Sequence, residues 1–214
     1  FIICFMNELN ILGAILAGGK SKRMGEIKLF LELNDKPLIE YTIDKVKKYF
    51  EKTIIITNQE NEFFSKNNLI TVKDHIEGQL GPLVGIFTAM QWAKKNFPQC
   101  AWVATFPCDT PFFPESIIKK FIKESEKNES LLLCASSHGR KHNIFGLWSL
   151  KLYDKLYDDL INGKVRKVQD WTKKHKVKNL ELKFKDHDPF FNINTREDLE
   201  FAKKIILKLK NEQK

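Results

Sequence analysis

The chain has 214 residues, 43% of them hydrophobic and 29% charged, a balance that suits one α/β domain with a full core. Its formal net charge is +9, but lysines spread along the sequence supply nearly all of it, which reads as a solvated basic surface and not as a nucleic-acid footprint. Cys4, Cys100, Cys108 and Cys134 lie far apart with no C-x-x-C pair, which argues against a zinc site or disulfide framework and suits a reducing cytoplasm; no stretch approaches a membrane span.

Residues 1–10 read as an N-terminal extension: the opening apolar stretch is too short for a signal peptide, and Met6 is a candidate start. Ile11 to Leu16 is an apolar run expected to form a short buried strand. Gly18 and Gly19 end it with a turn that brings backbone N–H groups close to an anion. Lys20, Lys22, Arg23 and, after Gly25, Lys28 add clustered positive charge. Amide donors beside cations are what a triphosphate requires, although a solvated basic loop would have the same composition. Neither the Walker A spacing nor G-x-G-x-x-G is present.

Leu29 to Leu33 is expected to be extended and to turn at Asn34–Lys36, with Pro37 as the first residue of a helix carrying Leu38, Ile39, Ile43, Val46 and Phe50 on one face. Thr53 to Thr57 and Leu69 to Val72 read as the next strands, Gly81 opens a helix to about Lys95, and Ala101 to Phe106 is a fourth strand. A helix over 114–127 and a strand over 130–135 follow. Strand and helix thus alternate, which implies βαβ crossovers and a mostly parallel sheet with ligands at the carboxyl ends of its strands. Gly18, Asn58, Asp74 and Asp109 all fall at such ends. The remainder predicts a strand at 143–148, helices at 150–161 and 165–175, a partly exposed strand at 177–184, and a last helix from Arg196 capped by Thr195.

Asp109, in Pro107-Cys-Asp-Thr-Pro111, is placed to hold Mg²⁺, a hard cation that prefers carboxylate and phosphate oxygens. The ordinary alternative is a turn residue ahead of the next helix. Asn192 and Asn194 flank Ile193 with period two and so share a face, as functional groups or as turn asparagines. Cys108 has no histidine placed beside it in sequence and reads as structural. His75, His138 and His142 are isolated and are left without a role; Arg140 and Lys141 could meet a phosphate or be plain loop charges, and Arg166 and Lys167 are noted beside them.

Leu16 to Lys28 matches the nucleotidyltransferase signature L-A-G-G-x-S-x-R-M-G-x-x-K at every defined position. Together with Gly81-Pro-Leu-Val-Gly85, Pro107 to Pro111 and Phe191-Asn-Ile-Asn-Thr195, it makes the chain similar to the molybdenum cofactor guanylyltransferase family, the MobA type. The resemblance implies a single Rossmann-like three-layer sandwich, nucleotide-diphospho-sugar transferase-like, over 1–214. Residues 11–135 would bind nucleotide and 136–214 the acceptor. It implies transfer of GMP from Mg·GTP to molybdopterin, with Mn²⁺ as an alternative ion and release of pyrophosphate. Leu16, Ala17, Gly18, Gly19, Asn58 and Asp74 would contact the nucleotide; Lys28 would hold the phosphates and Asp109 the metal. The family's nucleoside position falls at Thr57 or Asn58, because Thr57-Asn58-Gln59 departs from the usual Ala-Asn-Arg. Arg23, Gly85, Asn192 and Asn194 would meet the acceptor, with Arg23, Lys28 and Asp109 catalytic. Implied protein partners are molybdenum-insertion and molybdoenzyme-maturation proteins. Cytidylyl transfer to molybdopterin, nucleotidyl transfer to a sugar or alcohol phosphate, and a non-catalytic nucleotide-binding role stay open.

Overall fold

The computed structural model describes residues 10–18, 28–74, 81–184 and 188–211. Its strands are β1 (Ile11–Leu16), β2 (Thr53–Ile56), β3 (Ile70–Val72), β4 (Trp102–Pro107), β5 (Leu132–Ser137), β6 (Arg140–Ser149) and β7 (Lys178–Leu182). They form one sheet in the order β3-β2-β1-β4-β6-β5-β7. Among these strands β6 alone runs antiparallel to its neighbours. The helices are α1 (Leu38–Lys47), α2 (Glu62–Lys66), α3 (Pro82–Asn96), α4 (Glu115–Lys127), α5 (Tyr153–Ile161), α6 (Val168–Lys174) and α7 (Arg196–Asn211).

The layering follows from the strand period. β1 is buried at every position, as a strand covered by helices on both faces must be. Its side chains alternate: Ile11 and Ile15 enter one core with Ile39, Ile43 and Val46 of α1 and Ile117, Ile118 and Phe121 of α4. Leu12, Ala14 and Leu16 enter the other with the buried face of α3, Leu156 and Leu160 of α5, and Val168 and Trp171 of α6. The three-layer sandwich expected from the sequence is the result. A smaller cluster of Leu33, Leu38, Ile193, Ala202 and Ile206 fastens α7 beside the start of α1.

β5 and β6 make a hairpin through His138 and Gly139, at φ 48° and 73°, the left-handed pair that suits a two-residue turn. The register then shifts between Cys134 and Ala135, leaving β6 irregular over the residues before Gly146. Several boundaries differ from expectation. Lys28–Phe30 is a 3₁₀ turn instead of an extended piece, because Leu29 turns inward and is buried. Pro37 is the residue before α1. α2, opened by Asn61 accepting the Phe63 amide at 2.8 Å, was not anticipated. α6 begins at Val168, because Val165 instead folds back and donates its amide to Asp159 O at 3.0 Å.

Candidate active site

The chain leaves β1 and β4 side by side. Leu16 pairs with Pro107, and the Cys108 amide donates to Leu16 O at 3.3 Å. Gly18 and Asp109, each two residues farther on, therefore share one end of the sheet. This is also where the strand order reverses, with β2 on one side of β1 and β4 on the other, the crevice in which open α/β sheets bind ligands.

Three of the expected nucleotide residues meet at the β2 and β3 side of that crevice. Asn58 Oδ1 accepts the Asp74 amide at 3.0 Å, and Asp74 Oδ1 accepts from Thr88 Oγ1 at 3.0 Å. A Cβ added to Gly18 would lie 3.9 Å from Asp74 Oδ2. Thr57 is buried, with its hydroxyl accepting the Gln59 amide, whereas Asn58 is exposed. Of the two positions the sequence left open, Asn58 is the one that faces outward. Leu16 and Ala17 bury their side chains in opposite cores.

The Asp109 loop is held from two sides, by α1 and by residues 192–193. Thr42 Oγ1 donates to Pro107 O at 3.4 Å, and Lys45 Nζ donates to Pro111 O and Phe113 O, each at 2.8 Å. Burial pulls the Lys45 pKa down from 10.5 to about 8. From the far end of the chain, the Ile193 amide donates to Asp109 O at 2.9 Å, and Thr110 Oγ1 lies 2.8 Å from Asn192 Oδ1. Ile193 is fully buried while Asn192 and Asn194 are exposed, so the period-two pair does share an outward face. Among the described residues no group of three or more His, Cys, Asp or Glu could hold a metal. A lone carboxylate fits Mg²⁺, which keeps several waters and is usually bound by one or two carboxylates plus substrate phosphates.

Next to this loop is a cavity of about 590 Å³, lined by Pro107 and Asn192 on the Asp109 side. Arg140, Lys141, Arg166 and Lys167 also line it, with His142 and Phe190. The hairpin turn brings in the first two cations. Arg166 is fixed at the end of α5, where its guanidinium donates to Leu160 O and to Val165 O. Gly81 carries φ 80°, a left-handed conformation that suits glycine, and its missing Cβ would sit 3.6 Å from Arg166 O. Such a volume suits a small-molecule ligand, and its charge suits an anion.

Residues 13–177 match the MobA-like NTP transferase domain. The chain belongs to the MobA-like NTP transferase family. It is 33% identical over 201 residues to the molybdenum cofactor guanylyltransferase of Mesorhizobium japonicum, covering 92% of this chain and 96% of that one. The molybdopterin-guanine dinucleotide biosynthesis protein A of Archaeoglobus fulgidus superposes with TM-score 0.74 at 23% identity, over 92% and 99% of the two chains, and supports the fold. So does the manganese complex of the Rv0371C protein of Mycobacterium tuberculosis (TM-score 0.67, 15% identity, 91% and 98%).

Not every residue of the family pattern falls in the crevice. Gly19 and Arg23 lie outside the described residues, as does His75, and of Lys28 only the backbone is described. Gly85 is buried in α3 and turns its Cβ position toward Leu16 Cδ2 at 3.4 Å and Ile56 Cγ2 at 3.6 Å; it is not among the cavity's lining residues. Gly81 and Pro82, at the start of α3, lie at the cavity wall instead. The cations at 140, 141, 166 and 167 had been noted but not assigned. In sequence, Arg140 and Lys141 read equally as phosphate contacts or plain loop charges, and only the resemblance put Arg166 and Lys167 near the family's substrate-side helix.

Proposed function

We propose that this nucleotidyltransferase joins GMP, taken from GTP, to the terminal phosphate of molybdopterin, forming molybdopterin guanine dinucleotide and releasing pyrophosphate. The observation that carries this reading is the cationic cavity that begins at Pro107 and Asn192, beside Asp109. It supplies a second, anion-selective compartment next to a nucleotide crevice, as a two-substrate phosphoryl transfer requires. The relatives named above point to the same acceptor.

On this reading Gly18, Gly19, Asn58 and Asp74 hold the nucleoside with Leu16 and Ala17, and Lys28 offsets the triphosphate charge. Arg23, Asn192 and Asn194 orient the acceptor, joined by Arg140, Lys141, Arg166 and Lys167. Gly85 then acts at one remove, by letting α3 lie close under Leu16. An acceptor phosphate oxygen forms a bond to the α-phosphorus of GTP as the bond to the pyrophosphate leaving group breaks. Charge develops on the oxygens between, so positioning and positive charge are the protein's main contribution. Asp109 would hold Mg²⁺, or Mn²⁺, which when bound offsets phosphate charge. Thr110, Lys45 and Ile193 keep that carboxylate's loop in place. Residues 11–135 would serve the nucleotide and 136–214 the acceptor, within one cytoplasmic domain; among the described residues no helix is long and apolar enough to cross a membrane.

The test is to supply Mg²⁺, molybdopterin and each of the four nucleoside triphosphates in turn. GTP should yield pyrophosphate and the dinucleotide; release with CTP alone would install the cytidylyl reading, and release with none would remove the enzyme. Asp109→Ala should abolish metal-dependent release while leaving cooperative unfolding intact. Lys28→Ala should weaken GTP binding by about 1.5–3 kcal/mol, the value of a charged hydrogen bond, as read by calorimetry.

A further inference from the structure

Ser137, the last residue of β5, sets its hydroxyl between two groups, His142 Nε2 at 2.7 Å and Asp188 Oδ1 at 3.1 Å. Asp188 Oδ1 also accepts the Phe190 amide at 3.0 Å. The His142 ring lies on the Phe190 ring, centroids 4.2 Å apart and planes 21° from parallel, and Phe190 meets Phe145 edge-on at 4.8 Å. One point therefore pins β5, β6 and the turn that leads to Asn192 and Asn194. The arrangement is not a nucleophilic triad: the serine stands between histidine and carboxylate, and it is fully buried.

A buried histidine with satisfied partners is most often plain packing. Here, however, His142 and Phe190 both line the cationic cavity. The segment they hold is also the one whose other end ties to Asp109 through Ile193. A shift of Phe190 would act first on Asn192 at the cavity wall, and only through Ile193 and Thr110 on the Asp109 loop.

We infer that His142 is a positioning residue of the acceptor site, seating Phe190 and through it Asn192 against the cavity, so that its loss impairs the acceptor and spares GTP. The inference rests on the acceptor reading of the cavity. The carboxylate of Asp188 never donates, so the single Ser137 proton satisfies it and Nε2–H of the neutral ring donates to Ser137. Burial holds His142 below its ordinary pKa and Arg140 presses it the same way, while Asp188 and Glu181 oppose them. The ring is accordingly neutral at physiological pH. Charging it in acid adds a cation to the wall, which should tighten an anionic acceptor.

The experiment measures the KM of molybdopterin and of GTP for the wild type, His142→Phe, which keeps the stack and drops the bond, and His142→Gln, which does the reverse. Both variants should raise the acceptor KM about tenfold, the cost of a small misplacement, with the GTP KM unchanged. The wild-type acceptor KM should also fall as pH drops below the ordinary histidine range, by a factor absent from His142→Phe, whatever the acceptor's own titration contributes to both. Acceptor KM values unchanged in both variants, or a pH profile shared with the wild type, would overturn the inference. If either histidine variant fails to fold, Ser137→Ala decides: it keeps the ring and removes the link, and an unchanged acceptor KM there rejects the proposal. Failure of the acceptor reading itself would appear in the wild type, as no transfer to molybdopterin, and would take this inference with it.

Discussion

The ammonium of Lys45 reaches from α1 to the carbonyls of Pro111 and Phe113 and rests 4.7 Å above the Phe113 ring. It therefore ties the Asp109 loop to the first helix of the chain. Desolvation is the largest influence on it, partly countered by Glu115, and brings its pKa to about 8. The folded chain then binds fewer protons than the unfolded chain between pH 8 and pH 10.5, so unfolding free energy rises with pH across that window. The stability this group contributes is complete above its unfolded pKa and is lost as pH falls through the folded one. Lys45→Met should remove that slope, which urea midpoints at about pH 7.5 and about pH 10 would measure; equal slopes in the two proteins would exclude Lys45 as the source. The sequence offered little sign of this lysine, since it lies at the border of an apolar helical stripe where most lysines extend to solvent.

α7 begins with a reciprocal cap. Thr195 Oγ1 accepts the Asp198 amide at 3.1 Å, and Asp198 Oδ2 accepts the Asn194 and Thr195 amides at 2.8 and 2.9 Å. The cap fixes the direction in which Asn192 and Asn194 enter the site. Thr195→Ala should cost about 1 kcal/mol in chemical denaturation and raise the acceptor KM more than the GTP KM. Gly81→Ala forces a left-handed conformation on a residue with a Cβ, at roughly 1 kcal/mol or more, and should likewise fall on the acceptor KM by disturbing the Arg166 side of the cavity. Both could be read from spacing: a threonine ahead of an amphipathic run signals a cap, and a Gly-Pro pair signals a helix start. The β1 and β4 loops were legible for the same reason, because period and glycine act locally. The cavity was not. Its wall is built by a hairpin inserted between β4 and β7, and the register shift at Cys134 and Ala135 that shapes β6 has no local spelling. Nor did the Gly-Pro-Leu-Val-Gly stretch reveal that Gly81 faces the cavity and Gly85 the sheet, one helical turn apart.

Across the whole molecule, the net charge of +9 is spread thinly, and what distinguishes the cavity is that Arg140, Lys141, Arg166 and Lys167 line one open cleft. Exposed charges are screened within about 8 Å at physiological ionic strength. The acceptor KM should therefore rise with added salt, and Arg140→Ala combined with Lys141→Ala should raise it further at low salt and make the dependence shallower; an unaltered salt dependence would mean these side chains never meet the acceptor. The bond between Thr110 and Asn192 also has a consequence for how the protein is made, because it joins positions 82 apart in the chain. On the ribosome, the crevice between β1 and β4 emerges long before the segment that closes its far wall. The wall that Asn192 supplies, and the pairing of Thr110 with it, can therefore form only after residues 190–194 have left the exit tunnel.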